Sequence, residues 1–545
     1  MDVDPNETKT EDKIPPYVCC VLTEGTWTWF AAILFFAILM LIATLKYCRK
    51  HLSQPKFKNK NLSLLKRTLI EDDGDALGKI RLTPVKVEEF IKYCATRRKH
   101  AIIDTLEYDK TVHEDSQSNG SCLTATKNWK KNQNQAVVAD DGNRVVLKDQ
   151  DNDYINATRL ISDDGEGYLD RTWIVTQGPL ENTIEDFWSL VWQEDTRVVV
   201  MLTKTFEVVR LMCSQYWPVH MNVAEDYGAL KVELLREERY AHYNVRHIKL
   251  THKNEARYIT QFHYTSWPLS AQPDKANLLL FRKHIISYLG KEDDYGPPLV
   301  HCHDGGGRSG TFLAIEANLT MVETRGQVDI LGSVIWLHRQ RSQLVSNSGF
   351  YRLIYDILED HIKCGDTSRN MHDVLIDQDI KVLTNEFNTL ASLRPYYSIG
   401  DCAAGHRAEN RDKNRNVLVV PPDDSRPYLA SFQSNSTTDY INAVFVDGFC
   451  QAKAMIVTEW PMQSTVANFW SMIYDHDCST IVVLNNPPVP NKVTRHNKSF
   501  VRFWPEDGYS SYGPVFSINT VDMKNHHDFT MWHFRLGKKE IAPHR

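Results

Sequence analysis

Cys302 and Arg308 have five residues between them in His301-Cys302-His303-Asp304-Gly305-Gly306-Gly307-Arg308-Ser309, so a nucleophile and an anion clamp share one short loop. Gly305, Gly306 and Gly307 let backbone N–H groups turn inward around an anion, and a helix that follows aims its positive end at the same point. A cysteine in that field has its thiolate stabilised. Arg308 adds a fork for two phosphate oxygens. A lone Cys-x5-Arg arises easily by chance, but here the flanks agree. GPPLVHC (296 to 302) has strand character and SGTFLAIEANLTMVE (309 to 323) has helical spacing, so strand, loop and helix follow in order.

The scaffold for this loop must come from a long chain. Its 545 residues exceed one core and allow two or three globular units. With 42% hydrophobic and 24% charged residues and a net charge of -6, the composition is neither that of a nucleic-acid binder nor that of a disordered chain. The eleven cysteines show no Cys-x-x-Cys pair and no Cys/His cluster at zinc spacing, which points to reduced cytosolic thiols and to no metal or cofactor.

An internal repeat sets the architecture. KNQN (131 to 134), DYINA (153 to 157), TQGPLENTIEDFWSLVW (176 to 192) and YWP (216 to 218) return as KNRN (413 to 416), DYINA (439 to 443), TEWPMQSTVANFWSMIY (458 to 474) and FWP (503 to 505). Offsets stay between 282 and 287 residues, a domain-sized period that indicates tandem duplication. TRVVVMLT (196 to 203) and CSTIVVLNN (478 to 486) read as buried strands after amphipathic helices. The predicted fold class is α/β (α+β): a central mixed sheet flanked by helices, in two tandem copies, 83–365 and 380–545. In the second copy the counterpart of RYITQFHYTSW is expected near Asp528 to Arg535, with no glycine-rich loop, no equivalent of Cys302 and no closing helices after it. That absence should expose apolar surface unless something covers it.

Upstream, Thr83 as N-cap and Pro84 at the first helical position predict a helix over VKVEEFIKYCATRRK (85 to 99), and Glu114 to Asn143 reads as polar loop. Residues 46–82 form a juxtamembrane linker. Thr26 to Leu45 carries no charge and is long enough to cross a bilayer of about 30 Å. Trp27 and Trp29 mark one interface, and Lys46, Arg49, Lys50 and the lysines beyond place the other end in the cytosol. Residues 1–25 then lie outside, at the plasma membrane, with a sequon at Asn6; Cys48 is a palmitoylation candidate. The late apolar run without a basic n-region does not read as a cleavable signal peptide.

HCHDGGGRSG resembles the His-Cys-x5-Arg-Ser/Thr-Gly signature of protein tyrosine phosphatases. DYINA, TQGPL, DFWSLVW, VVVMLT and QYWP look like that family's landmarks in their usual order, and two copies behind one membrane segment resemble its receptor-type branch. The resemblance implies Cys302 as nucleophile toward phosphotyrosine, Arg308 as phosphate clamp, Ser309 as the hydroxyl that helps the thiolate leave and His301 as a tuner of the loop. Glu207 corresponds to the carboxylate that holds the arginine. His303, Asp304, Gly305, Gly306 and Gly307 complete the substrate cradle. The implied partners are phosphotyrosine proteins or peptides, and the second copy is a surface for contact with the first copy or with other proteins.

Three positions depart from the family pattern. Leu269, in Trp267-Pro268-Leu269, replaces the aspartate that protonates the leaving phenolate. Asn134 replaces the tyrosine that stacks on the substrate ring, and Ser346-Asn347 replace the pair that positions the hydrolytic water. A general acid contributes about 10² to 10⁴ in rate and an aromatic stack about 0.5–1.5 kcal/mol. The set implies an impaired homologue that binds or regulates. A slow but active phosphatase, working through a phosphocysteine, is the second reading, and loss of even phosphate binding is a third. Two aspartates are candidate substitute acids: Asp274, five residues past Leu269, and Asp304, although side chains in the middle of such a loop are expected to point away from the anion.

Overall fold

A computed structural model describes residues 84–545, apart from 101, 116–119, 149, 162–167, 291–294, 367, 373–379, 432–437, 486–499 and 540–545. All of them belong to one compact unit, Ile80–Arg545. The apolar segment Thr26 to Leu45, the sequon and Cys48 lie outside the described residues. No helix among those described is long and apolar enough to cross a membrane.

The first copy is built on nine strands: β1 (Arg144–Val146), β2 (Tyr154–Leu160), β3 (Trp173–Thr176), β4 (Val198–Met201), β5 (Ala224–Tyr227), β6 (Leu230–Arg239), β7 (Tyr243–His252), β8 (Glu255–Tyr264) and β9 (Leu299–His301). Their order in one mixed sheet is β1-β2-β3-β9-β4-β8-β7-β6-β5. The site-bearing strand β9 is central, parallel to β3 and β4 on its two sides, with Leu299 opposite Ile174 and Val199. Such a strand is buried on both faces, which is why Leu299 and Val300 are apolar and His301 at its end is enclosed as well.

Helices cover both faces: α1 (Val87–Arg97), α2 (Ile102–Asp115), α3 (Ile184–Gln193), α4 (Lys275–Leu289), α5 (Gly307–Arg325), α6 (Ile330–Gln340) and α7 (Ser348–Cys364). On one face Val175, Val200 and Val300 pack with Phe281 and Phe312; on the other Ile174, Val199 and Leu299 pack with Phe187, Trp188 and Leu190 of α3. Alternation along three parallel strands thus feeds two cores, one on each side.

The helix expected from Val85 starts at Val87. Val85 and Lys86 pair antiparallel with Val328 and Gln327, so these residues are taken by a strand, and Glu88 and Glu89 then occupy the first turn. The 114–143 stretch also holds a short helix at Leu123–Lys127.

The second copy follows a helix, α8 (Ile380–Leu393), and contains α9 (Val466–Asp475) and strands β10 (Ala443–Val446), β11 (Met455–Thr458), β12 (Tyr509–Tyr512), β13 (Phe516–Asn525) and β14 (Thr530–Lys538). Duplication is visible in the bonds. Tyr154 donates to Asn132 Oδ1 at 2.6 Å as Tyr440 does to Asn414 Oδ1 at 2.6 Å, and Trp188 Nε1 reaches the Tyr216 carbonyl at 2.8 Å as Trp470 Nε1 reaches that of Phe503 at 2.8 Å.

Two sequence expectations change here. Phe516 pairs with Lys538 as Leu230 pairs with His252, so β14 is the counterpart of β7, and Asp528 to Arg535 does not correspond to the Arg257–Trp267 strand. The second sheet therefore stays in two pieces, β10-β11 and β12-β13-β14. CSTIVVLNN forms no strand over its described residues. Among the described residues no strand lies beside it as β8 and β9 flank β4 in the first copy, and Val482 and Leu484 are exposed.

Candidate functional site

β9 delivers Cys302 at its end, and the loop runs to Gly306, the N-cap of α5. Neighbouring groups hold the loop backbone from several sides. Gly178 N donates to the His303 carbonyl at 2.9 Å, and the Arg341 guanidinium donates to the carbonyls of Gly305 at 3.0 Å and Asp304 at 3.4 Å. Gly305 has φ +72, and a Cβ there would stand 2.5 Å from the Thr176 carbonyl oxygen, so glycine is required on both counts. At Gly307 a Cβ would meet Ser346 Oγ at 2.4 Å and the Phe350 ring at 2.8 Å.

Arg308 and Glu207 come together as a buried fork, Nη1 to Oε1 at 3.0 Å and Nη2 to Oε2 at 3.3 Å. Nη1 also donates to the Leu202 carbonyl at 3.2 Å, and Nη2 to the Pro268 carbonyl at 3.3 Å. The carboxylate thus orients the arginine, and the arginine ties the Trp267-Pro268-Leu269 loop to the site. Ser309 Oγ is buried and has no hydrogen-bond partner, so its hydroxyl is free to turn.

His301 is fully buried, and burial pushes its pKa down to about 4. Gln261 Nε2 donates to the Tyr216 hydroxyl at 2.6 Å, leaving that hydroxyl to donate to His301 Nε2 at 2.8 Å; the ring's Nδ1–H faces the Cys302 carbonyl at 3.2 Å. The histidine is a neutral spacer beneath the nucleophile, not a charge beside it. His263, also buried and beside the Arg246 guanidinium, is pushed down to about 3.

Stability is therefore expected to fall as pH drops from about 6.5 toward 4. Above about 6.5 both folded and unfolded imidazoles are neutral; below it the unfolded chain takes protons that the folded one refuses, which for His301 is worth on the order of 3 kcal/mol. Denaturant midpoints at pH 7 and pH 4.5 check this. The interval should narrow in His301→Gln, and an unchanged interval would refute the assignment.

The three departing positions have their own geometry. Trp267 is buried with the Arg308 guanidinium 5.7 Å from its ring centroid, while Leu269 is 54% exposed and brings no proton to the cleft. Asp274 is spent as the N-cap of α4, accepting from Asn277 N at 2.9 Å, and so is not placed as a substitute acid. Asn347 likewise caps α7 through Phe350 N at 2.9 Å.

His303 turns out of the cradle, its Nδ1 donating to the Met212 carbonyl at 2.6 Å and its Nε2 accepting from Arg210 at 3.1 Å. Asp304 does the opposite of what was expected and folds inward. Its Oδ1 accepts from Gly306 N at 3.1 Å and lies 3.7 Å from Cys302 Sγ, while Oδ2 accepts from Asn134 Nδ2 at 3.3 Å. The Gly306 N–H and the Asn134 amide hold the carboxylate in.

Arg341 was missed from the sequence. It is entirely buried, donates to Asn156 Oδ1 at 2.9 Å and Thr158 Oγ1 at 3.0 Å as well as to the loop, and burial brings its pKa down to about 10. Its only sequence signal is an arginine just past the end of an apolar-faced helix. The co-occurrence of KNQN, DYINA and TQGPL also has a physical basis: Gln177 Oε1 accepts from Gln133 N at 2.8 Å and Asn156 Nδ2 at 3.1 Å.

A strand-loop-helix anion cradle with a thiol at its start and a carboxylate-held arginine at its end defines the protein-tyrosine phosphatase class of site. That family's model, described as protein-tyrosine phosphatase, matches residues 128–360 and 410–544, and the chain belongs to this family. It is 35% identical over 386 residues to receptor-type tyrosine-protein phosphatase U of Gallus gallus, covering 68% of this chain and 26% of that protein. Identity is 30% over 486 residues with the putative receptor-type tyrosine-protein phosphatase mosPTP-1 of Aedes aegypti, covering 84% and 35%. With tyrosine-protein phosphatase Lar-like of Caenorhabditis elegans it is 33% over 423 residues, covering 74% and 18%. The matches thus span between 18% and 35% of these relatives' length.

Proposed function

We propose that this chain is a receptor-type tyrosine phosphatase homologue of phosphotyrosine signalling, anchored by Thr26 to Leu45 with both copies on the cytosolic side. Its first copy is catalytically impaired and acts by binding or regulation. One observation carries the reading: Arg308 holds the Trp267-Pro268-Leu269 loop at the site, and the residue this loop presents is an exposed leucine, not an acid. A phenolate is a poor leaving group at neutral pH without a proton donor, and the loss of that donor removes about 10² to 10⁴ in rate. From an ordinary turnover near about 10 s⁻¹ this leaves about 10⁻¹ to 10⁻³ s⁻¹. The receptor-type relatives and the ordered motifs support the family part of the proposal. The second copy, with its divided sheet, serves as a contact surface.

A slow phosphatase is favoured by the retained Glu207–Arg308 fork and the free Ser309 hydroxyl. Turnover of a phosphotyrosine peptide by the full chain, with that of Cys302→Ser subtracted, separates the readings. Cys302-dependent turnover at or below about 10⁻³ s⁻¹ is expected, turnover of about 10⁻² to 10⁻¹ s⁻¹ would favour the slow phosphatase, and about 1 s⁻¹ or more would sink the impaired reading.

A further inference from the structure

We propose that the phosphate cradle is occupied by its own side chain: Asp304 is an internal ligand of the anion site, and Asn134 is the latch that holds it there. The inference rests on reading this loop as a phosphate cradle. It goes beyond the missing acid, because it concerns whether an anion can enter at all.

Three observations converge on the carboxylate. Gly306 N, one of the inward N–H groups that would meet a phosphate oxygen, already donates to Asp304 Oδ1 at 3.1 Å. The same oxygen stands 3.7 Å from Cys302 Sγ, in the space that a phosphoryl group must fill to be attacked by that sulfur. The other oxygen is fixed from across the mouth by Asn134 Nδ2 at 3.3 Å, and Asn134 is itself fixed, its Oδ1 accepting from Ala136 N at 3.0 Å. A carboxylate here satisfies part of the cradle as an anion would and repels a second anion by like charge.

The geometry joins two features that look independent in the sequence. The position where family members stack an aromatic ring on the substrate carries a short amide, and the loop carries an acid within that amide's reach. Arg341 binds the backbone carbonyls of Asp304 and Gly305 from behind, so the loop itself does not swing aside. The cradle opens by rotation of one side chain, and its ligand is a phosphate monoester dianion able to displace an internal carboxylate.

Inorganic phosphate is the probe, titrated into the full chain and followed by thermal unfolding, where a ligand of the folded state raises the midpoint. Asp304→Ala is expected to bind phosphate at least about tenfold more tightly than the unaltered chain, which is a tenth of the concentration for the same shift. Asn134→Ala, which removes the latch without touching the loop, should shift affinity the same way by less, and it serves as the readout if Asp304→Ala does not fold. Equal phosphate affinity in the unaltered chain and both variants, including no detectable binding by any of them, would overturn the proposal. Phosphate binding needs no general acid, so that result would leave the reading from Leu269 standing. Fast turnover by the unaltered chain would sink that reading and leave the phosphate titration to be judged by itself.

Discussion

Leu269→Asp, introduced into a chain that also carries Asp304→Ala, is expected to raise Cys302-dependent turnover of a phosphotyrosine peptide by about 10² to 10⁴ relative to Asp304→Ala alone. The loop is already docked, with the Pro268 carbonyl on Arg308 and Trp267 buried, so a carboxyl at 269 needs no new backbone arrangement. Leu269 is exposed, and replacing it costs little packing. In the otherwise unaltered chain the same substitution should raise kcat/KM by a similar factor but from a lower base, because the Asp304 carboxylate only cuts the fraction of time in which the sulfur is open to substrate. The two changes act on different steps, entry and leaving-group departure, so their fold effects on kcat/KM should multiply. The measurement is kcat/KM for the four chains at one pH. A double variant no faster than Asp304→Ala would show that position 269 does not reach the leaving oxygen.

The second large effect is structural. Arg341→Met is expected to lower stability by about 2 kcal/mol or more, since it strips buried donors from the Gly305 carbonyl and Thr158 Oγ1, each worth about 1–3 kcal/mol when left unpaired, while Asn156 Oδ1 keeps the Ala139 N–H. Arg341→Lys should not rescue, because one ammonium cannot reach acceptors that the planar guanidinium meets along separate N–H directions. Chemical denaturation reports the loss, and phosphate titration of the same variants should show the cradle weakened. A stability change below about 0.5 kcal/mol, the size of an ordinary surface substitution, would mean that the loop is held by other means.

Much of the site was legible because its parts are local. Cys302, Arg308 and the glycines sit in one stretch whose flanks announce strand and helix, and the duplicated motifs fixed the two copies. Glu207 was reached through the family pattern, and its fork with Arg308 is in place. What escaped depends on partners far along the chain. Arg341 meets Asn156 across 185 residues, and Asp304 is drawn in by Asn134 across 170. CSTIVVLNN has strand composition but meets no flanking strand among the described residues, and Val85 is claimed by Val328 before the helix can take it. Propensity names a preference, and tertiary pairing decides whether it is met.

The rigid backing of the phosphate loop also has a kinetic consequence. Gly305 and Gly307 leave no room for a side chain beside Thr176, Ser346 and Phe350, and Arg341 clamps the carbonyls, so opening the mouth falls to rotation of the Asp304 side chain. Side chains change rotamer in about picoseconds to nanoseconds, far faster than loops rearrange. Phosphate association should then show one exponential whose rate rises linearly with concentration. Its slope is scaled down by the fraction of time the carboxylate is out, and dissociation proceeds at the rate of an ungated cradle.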